Sequence, residues 1–375
     1  MTGGFKEPVY VTRPLLPDLE KFKLRLNKIW ESKWLSNMGE QHRLFEESAR
    51  KALKAPYVSL FNNGTTALMA AVRFLGLKGE VITTPFTFPA TPHALLLNGV
   101  HPVFCDIENE TMNIDPDKIE AAITSKTTGI LAVHIFGTPC DTVKIQKIAD
   151  KHGLKVIYDA AHAFNTEIDG VGIGNFGDIS MFSFHATKLF NTGEGGCLTY
   201  KDGCFKPGIE LLRNMGIKNE EEVITAGFNG KMTEIQAALG MLNLELIEEE
   251  RGKRSRLQEI YHRELSGVEG VACYKNPENI KESLQYFTVR IDEKQFGSSR
   301  DSVYEEFKKY NVFTRKYFYP LCSEYPCYKD YPSAEKELLP SAHKAADEVL
   351  CLPFYGELTN EDVEKICGIL KGLKK

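Results

Sequence analysis

Short apolar runs alternate with helical patterns along residues 1–165, and this alternation constrains the fold more than any other feature. Tyr57–Phe61, Val81–Thr84, Pro102–Asp106, Gly129–Val133 and Lys155–Tyr158 read as strands. Between them Ala67–Leu75, the stretch from Pro89 through Leu97, Asp115–Ile123 and Asp141–Lys151 read as helices. Strands separated by helices form mostly parallel sheets covered on both faces. The class is therefore α/β. In such sheets ligands sit beyond the carboxyl ends of the strands.

The flanking segments complete the plan. Leu19–Trp30 and Gln41–Leu53 have helical spacing and are separated by a turn over residues 34–39. Phe205–Met215 is helical, and a long helix runs from Glu234 to about Leu265. Its charged run, Glu248–Arg256, is expected to be a solvated face. Ser283–Ile291 alternates as a strand, Ser299–Tyr310 is helical, Val312–Tyr319 is strand-like, and Glu361–Leu373 closes the chain as a helix. We expect a large domain over residues 1–250, N-terminal segment included, and a smaller α+β domain over residues 251–375. A chain of 375 residues can bury a sizeable core for both.

Composition narrows the function. A net charge of −5 argues against non-specific nucleic-acid binding. The nine cysteines form no CxxC pair and no metal-ligand spacing, so no metal is expected and a reducing cytoplasm suits them. Met1–Pro8 lacks the apolar segment of a secretion signal, and no apolar run approaches membrane-spanning length. A cytoplasmic protein without membrane contact is expected.

The chemistry converges on Ser183–Gly196. The apolar run Ile179–Phe184 leads to one lysine, Lys188, and then to a glycine-rich turn and a second strand, Cys197–Tyr200. A lysine at a buried strand end is desolvated toward its neutral amine, the form that attacks carbonyls. Otherwise it is a surface lysine in a hairpin. Asn62–Thr66 opens a helix with free N–H groups and two hydroxyls, which is a phosphate seat or an ordinary N-cap. Phe88 follows a strand and either stacks on a planar ring or belongs to the core. Asp159 ends a strand, where a buried carboxylate needs a partner, and an ordinary ion pair is the plain alternative. Together these are the groups that pyridoxal phosphate requires.

Through Trp34-Leu35-Ser36, Asn63-Gly64-Thr65, Asp159-Ala160-Ala161-His162, Ser183–Lys188, Glu194-Gly195-Gly196, Asn229–Ala238 and Tyr319-Pro320-Leu321, the chain resembles the DegT-type sugar-nucleotide aminotransferases. That resemblance implies the type I fold of pyridoxal-phosphate-dependent transferases. It implies that Lys188 bonds the cofactor and later moves a proton, and that Asp159 keeps the ring nitrogen protonated. His162 would lie beside the ring. Gly64, Thr65 and Ser183 would hold the phosphate, and Phe88 would cover the ring. Asn229 would reach the phosphate from a partner subunit, making a homodimer with shared active sites. Trp34, Asn37, Arg315, Tyr317 and Tyr319 are candidates for the sugar-nucleotide side.

The implied amino donor is L-glutamate and the implied acceptor is a nucleotide-linked keto sugar, for surface-polysaccharide (O-antigen) or glycan synthesis. Relatives that aminate C3 tend to carry Tyr-Pro before the lysine. This chain has His185-Ala186-Thr187, which implies amination at C4 of a 4-keto-6-deoxy sugar such as dTDP-4-keto-6-deoxyglucose. A 3-keto sugar, or a UDP- or GDP-linked 4-keto sugar, is the alternative. Relatives that dehydrate sugars replace the lysine with histidine, and a regulatory protein of this fold needs no electron sink. Lys188 and Asp159 argue against both. One departure from the family is Lys231, where many members carry arginine.

Overall fold

The computed structural model describes residues 3–375. Its centre is a seven-stranded sheet in the order Tyr57–Phe61, Gly196–Tyr200, Ile179–Ser183, Lys155–Asp159, Thr127–Val133, Glu80–Thr83, His101–Phe104. Gly196–Tyr200 runs antiparallel to both its neighbours, and every other pairing in this sheet is parallel. The fold is therefore α/β with a mixed, mostly parallel sheet between helices. Successive strand residues alternate between two apolar layers, as a pleated backbone requires. Val81, Leu131 and Ile157 face the helices Gly64–Phe74 and Ala90–Leu96, while Ile82, Ile130 and Val156 face Thr142–His152.

Local signals start these helices where the turns demand it. Asn63 caps Gly64–Phe74 by accepting the Thr66 N–H at 2.8 Å, and Asp141 caps Thr142–His152 through the Lys144 N–H at 2.9 Å. Gly153 ends that helix in the left-handed conformation, with φ 65°, that glycine adopts without strain. Thr233 and Gln236 form a capping box at the start of the 32-residue helix Glu234–Leu265. One residue of that helix reaches back. The Glu234 carboxylate accepts the N–H groups of Gln41 and His42, and so caps the helix Glu40–Ala52.

A second, antiparallel sheet of Val271–Ala272, Phe287–Ile291 and Val349–Leu352 lies against the far half of the long helix and the helices Arg300–Lys309 and Asn360–Gly372. Leu257, Tyr261, Val289, Phe307, Leu352 and Ile366 form its core. The N-terminal segment joins this part, since Val9–Tyr10 pairs in parallel with Val312–Phe313.

Three expectations are corrected. The Ser283–Ile291 strand begins only at Phe287, because the backbone carbonyls of Ser283 and Leu284 are held by Arg251 and Arg254 rather than by a neighbouring strand. Of Val312–Tyr319, only Val312–Phe313 is strand. Arg315 makes a single bridge to Cys351, and the chain then turns. The charged run of the long helix is not simply a solvated face. Glu250, Arg251 and Arg254 are buried, Arg254 pairs with Glu250 at 2.6 Å, and Glu250 accepts the Gly356 N–H at 2.9 Å. The helix Pro340–Glu348 and the strand Val349–Leu352 carry no clear sequence pattern and are found only in the structure.

Removing one member of a buried ion pair strands the other charge, at a cost of about 3–5 kcal/mol. Arg254→Ala should therefore lower the urea midpoint by a corresponding amount, with no comparable effect from Lys253→Ala on the exposed side of the same turn. Equal effects of the two substitutions would contradict the stabilising role of the buried Arg254–Glu250 pair.

Candidate active site

The carboxyl ends of the central strands open into a cavity of about 590 Å³. The parallel pairing of Lys155–Asp159 with Ile179–Ser183 sets its chemistry. With Asp159 opposite Met181, the turn carrying Lys188 emerges at the same edge of the sheet as Asp159. Asp159, His162, Ser183 and Lys188 all line the cavity.

Asp159 is buried. One carboxylate oxygen accepts the Thr91 hydroxyl at 2.8 Å and the other the Ala161 N–H at 3.1 Å. Thr91 in turn meets the Thr87 hydroxyl at 2.8 Å. Among the described residues the carboxylate makes no salt bridge, and the Lys188 charge acts on it only without hydrogen-bond contact. Burial pushes its pKa upward, opposed by the Thr91 and Ala161 hydrogen bonds and weakly by the Lys188 charge. Burial also lowers the Lys188 amine to about 8, opposed by Asp159. The amine lies 6.0 Å from the Tyr286 ring centroid and donates no hydrogen bond within the described residues.

His162 is buried between the stacked ring of Phe318, at 5.8 Å, and the edge of Tyr286. Its Nδ1 accepts the Phe136 N–H at 3.3 Å, so the proton of the neutral ring resides on Nε2. Desolvation, with a smaller contribution from Lys188, holds its pKa well below the usual histidine range, and the ring stays neutral.

At the other end of the cavity stand Asn63, Gly64, Thr65, Thr66 and Ser183. The first residues of a helix have no intrahelical acceptors for their N–H groups. Asn63 satisfies Thr66, which leaves those of Gly64 and Thr65 at the positive end of the helix macrodipole. The backbone here is closely packed. A Cβ at Gly64 would lie 3.1 Å from both Met181 and Ser183, and one at Gly196 would lie 2.8 Å from the Gly64 backbone. Gln236 of the long helix ties this end together by donating to the Asn62 carbonyl at 3.1 Å and the Glu194 carbonyl at 2.7 Å.

Phe88 is 57 % exposed although large and apolar, and it forms part of the cavity wall rather than the core. Tyr317 also lines the cavity, whereas Arg315 and Tyr319 do not. Tyr319 is instead covered by the cations of Arg300 at 5.3 Å and Lys316 at 4.9 Å. Trp34, Asn37 and Asn229 are exposed and lie outside the cavity of their own chain. The Asn229 side-chain oxygen is held by Lys231 at 3.2 Å, and Lys231 also donates to Asn214 at 2.8 Å.

Sequence reasoning missed Thr91, Tyr286, Phe318 and Gln236 as neighbours of the site. The i, i+4 spacing of Thr87 and Thr91 beyond a strand end could have signalled a hydroxyl relay. Tyr286 and Phe318 come from distant segments, and nothing local marks them. Gln285 beside Tyr286 accepts the Leu189 N–H and donates to the Thr187 carbonyl, which locks that segment onto the lysine turn.

Among the described residues, a buried carboxylate without a salt-bridge partner, an amine without a hydrogen-bond acceptor and an open helix terminus share one cavity, and they suit a planar cationic ring bearing an aldehyde and a phosphate. A family model described as the DegT/DnrJ/EryC1/StrS aminotransferase family matches residues 18–371. The dTDP-4-amino-4,6-dideoxy-D-glucose transaminase of Escherichia coli is 46% identical over 363 residues, covering 96% of this chain and 98% of that protein. The transaminase of the same description from Shigella dysenteriae is 42% identical, covering 98% of this chain and 100% of its own. Among solved structures, DesI in the presence of its TDP-sugar product superposes with a TM-score of 0.94 at 36% identity, covering 99% of this chain and 94% of that one. The chain belongs to the DegT/DnrJ/EryC1/StrS aminotransferase family.

Proposed function

We propose that this protein is a pyridoxal-phosphate-dependent transaminase that moves the amino group of L-glutamate to C4 of a nucleotide-linked 4-keto-6-deoxy sugar. dTDP-4-keto-6-deoxyglucose is the acceptor favoured, and dTDP-4-amino-4,6-dideoxyglucose the product. The reading is carried by Lys188 and Asp159, a buried carboxylate with no salt-bridge partner among the described residues, in one cavity with an open helix N-terminus. The two transaminases of that description, aligned over almost the whole chain, support the choice of sugar.

Bound pyridoxal phosphate supplies a carbonyl that carries the amino group and a protonated ring that withdraws electrons from the reacting carbon. Asp159 offers the buried negative charge that keeps a ring nitrogen protonated, and Thr91 and the Ala161 N–H aim it. His162 presents its Nε2–H from a neutral ring fixed by Phe136. The N–H groups of Gly64 and Thr65, with the Ser183 hydroxyl, would donate to the phosphate. Phe88 covers one side and excludes water. Lys188, drawn toward its neutral amine by burial, takes the proton from the substrate carbon and returns it.

Trp34, Asn37 and Asn229 are assigned to the site of a second copy in a homodimer. The Leu35 carbonyl accepts the Glu234 N–H, which brings the Trp34 turn near the Asn229–Thr233 segment, and Trp30, Trp34, Leu35, Val223 and Ile224 leave large apolar surface exposed. Arg315, Tyr317 and Tyr319 remain candidates for the sugar-nucleotide side, and Tyr317 is the one of the three that lines the cavity.

The deciding experiment offers 3-keto and 4-keto-6-deoxy sugars linked to dTDP, UDP and GDP side by side with glutamate, and locates the new amine by NMR. Amination at C4 of the dTDP sugar is expected. Amination at C3, or preference for another nucleotide, would overturn the choice of acceptor. Asp159→Asn should lower kcat by roughly 10²-fold or more, as loss of a preorganised charge does. A mere rise in KM would contradict its role. The depressed Lys188 pKa has its own readout in the protein without cofactor. Reductive methylation of Lys188, followed by mass spectrometry, should rise with pH to a midpoint of about 8 as the amine loses its proton. A midpoint near that of a free lysine, about 10.4, would refute the desolvated amine.

A further inference from the structure

The mouth of the cavity carries a pair of side chains that the scheme above leaves without a task. Strand pairing places Gly196 opposite Ser183, and the ladder continues beyond the strands. Phe184 N–H donates to the Gly195 carbonyl at 2.8 Å and Ala186 N–H to the Gly193 carbonyl at 2.7 Å. His185 therefore faces Glu194 across the ladder, with His185 Nε2 3.6 Å from a Glu194 carboxylate oxygen. Facing residues in an antiparallel pair share a side of the sheet, and both line the cavity. Their side chains are 45% and 60% exposed, so neither serves the core.

The histidine has a defined polarity. Its Nδ1 accepts the Thr187 N–H at 3.2 Å and meets the Thr187 hydroxyl at 2.8 Å, so Nε2–H is its donor. Glu194 has no lysine or arginine partner among the described residues. Among the described residues that line the cavity there is no arginine, and Lys188 is the one lysine.

A transaminase of the kind proposed above, on which this inference rests, admits two unlike substrates in turn. An amino-acid donor brings carboxylates, while a sugar brings hydroxyls that pair well with a carboxylate acceptor. We infer that the His185–Glu194 pair sorts them. His185 Nε2–H takes a carboxylate of the amino donor in one half-reaction, and Glu194 takes sugar hydroxyls in the other. When the donor is bound, His185 stands between its carboxylate and Glu194. When the sugar is bound, Glu194 is free to accept.

The test measures the two half-reactions separately by single-turnover absorbance, and binding of dTDP-4-amino-4,6-dideoxyglucose by calorimetry. For His185→Ala the half-saturating L-glutamate should rise by roughly tenfold or more, as expected for a lost hydrogen bond to a charged group, with sugar Kd changed by less than about twofold. His185→Gln, which keeps an N–H, should recover most of the loss. Glu194→Ala should show the reverse pattern, and Glu194→Gln an intermediate one. Variants that weaken both substrates equally, or neither, would overturn the assignment while leaving the transaminase reading intact. A wild type that responds to neither substrate would overturn that reading and this pair's role with it.

Discussion

The parallel pairing of Lys155–Asp159 with Ile179–Ser183 is the constraint on which the rest depends. It brings Asp159 and the Lys188 turn to one edge of the sheet. The returning strand Gly196–Tyr200 lies antiparallel between Ile179–Ser183 and Tyr57–Phe61, which sets Gly196 against Gly64 at the start of a helix. A slip of one residue would turn every side chain of the strand to the opposite face. Met181 would leave its apolar layer, and the Lys188 turn would lose its place opposite Asp159. The burial of the sheet on both faces and the geometry of the site are thus enforced together.

That edge holds two ionisable groups in the states they resist. Desolvation pushes Asp159 up and Lys188 down, so each is held toward its neutral form without a ligand. Hydrogen bonds from Thr91 and Ala161 moderate this for the acid, while the amine has no such partner. Opposed shifts of this kind mark sites where charge is placed for chemistry rather than for stability. The proposed cationic ring would supply the salt-bridge partner that Asp159 lacks among the described residues.

The support for the site is itself charged. Arg251 and Arg254 on the long helix bind the carbonyls of Ser283 and Leu284, and Gln285 then clasps the Thr187–Leu189 turn. At its other end the same helix places Gln236 between the Asn62 and Glu194 carbonyls. One helix therefore positions both the lysine turn and the proposed phosphate seat. Glu250, Arg251 and Arg254 could not be told from their solvated neighbours Glu249 and Lys253 in the sequence. A run of charges does not say which side of the helix meets a carbonyl-lined loop.

Local pattern determined the seven strands of the central sheet and the main helices between them, the limits of Glu234–Leu265, and the candidacy of Asp159, Lys188 and the Gly64–Thr65 turn, but it did not mark the short strands Glu167–Ile168 and Val171–Gly172. Their signals are short in range: two-residue alternation, a capping box, and turn residues after apolar runs. Val349–Leu352 escaped because four apolar residues fit either a strand or a buried helical turn. The tertiary structure alone decided which candidates meet. It brought Tyr286, Tyr317 and Phe318 from distant segments to the cavity, left Arg315 and Tyr319 outside it, and buried a salt bridge within an apparently solvated run. Those outcomes depend on contacts between residues far apart in the chain, and no periodicity within one segment encodes them.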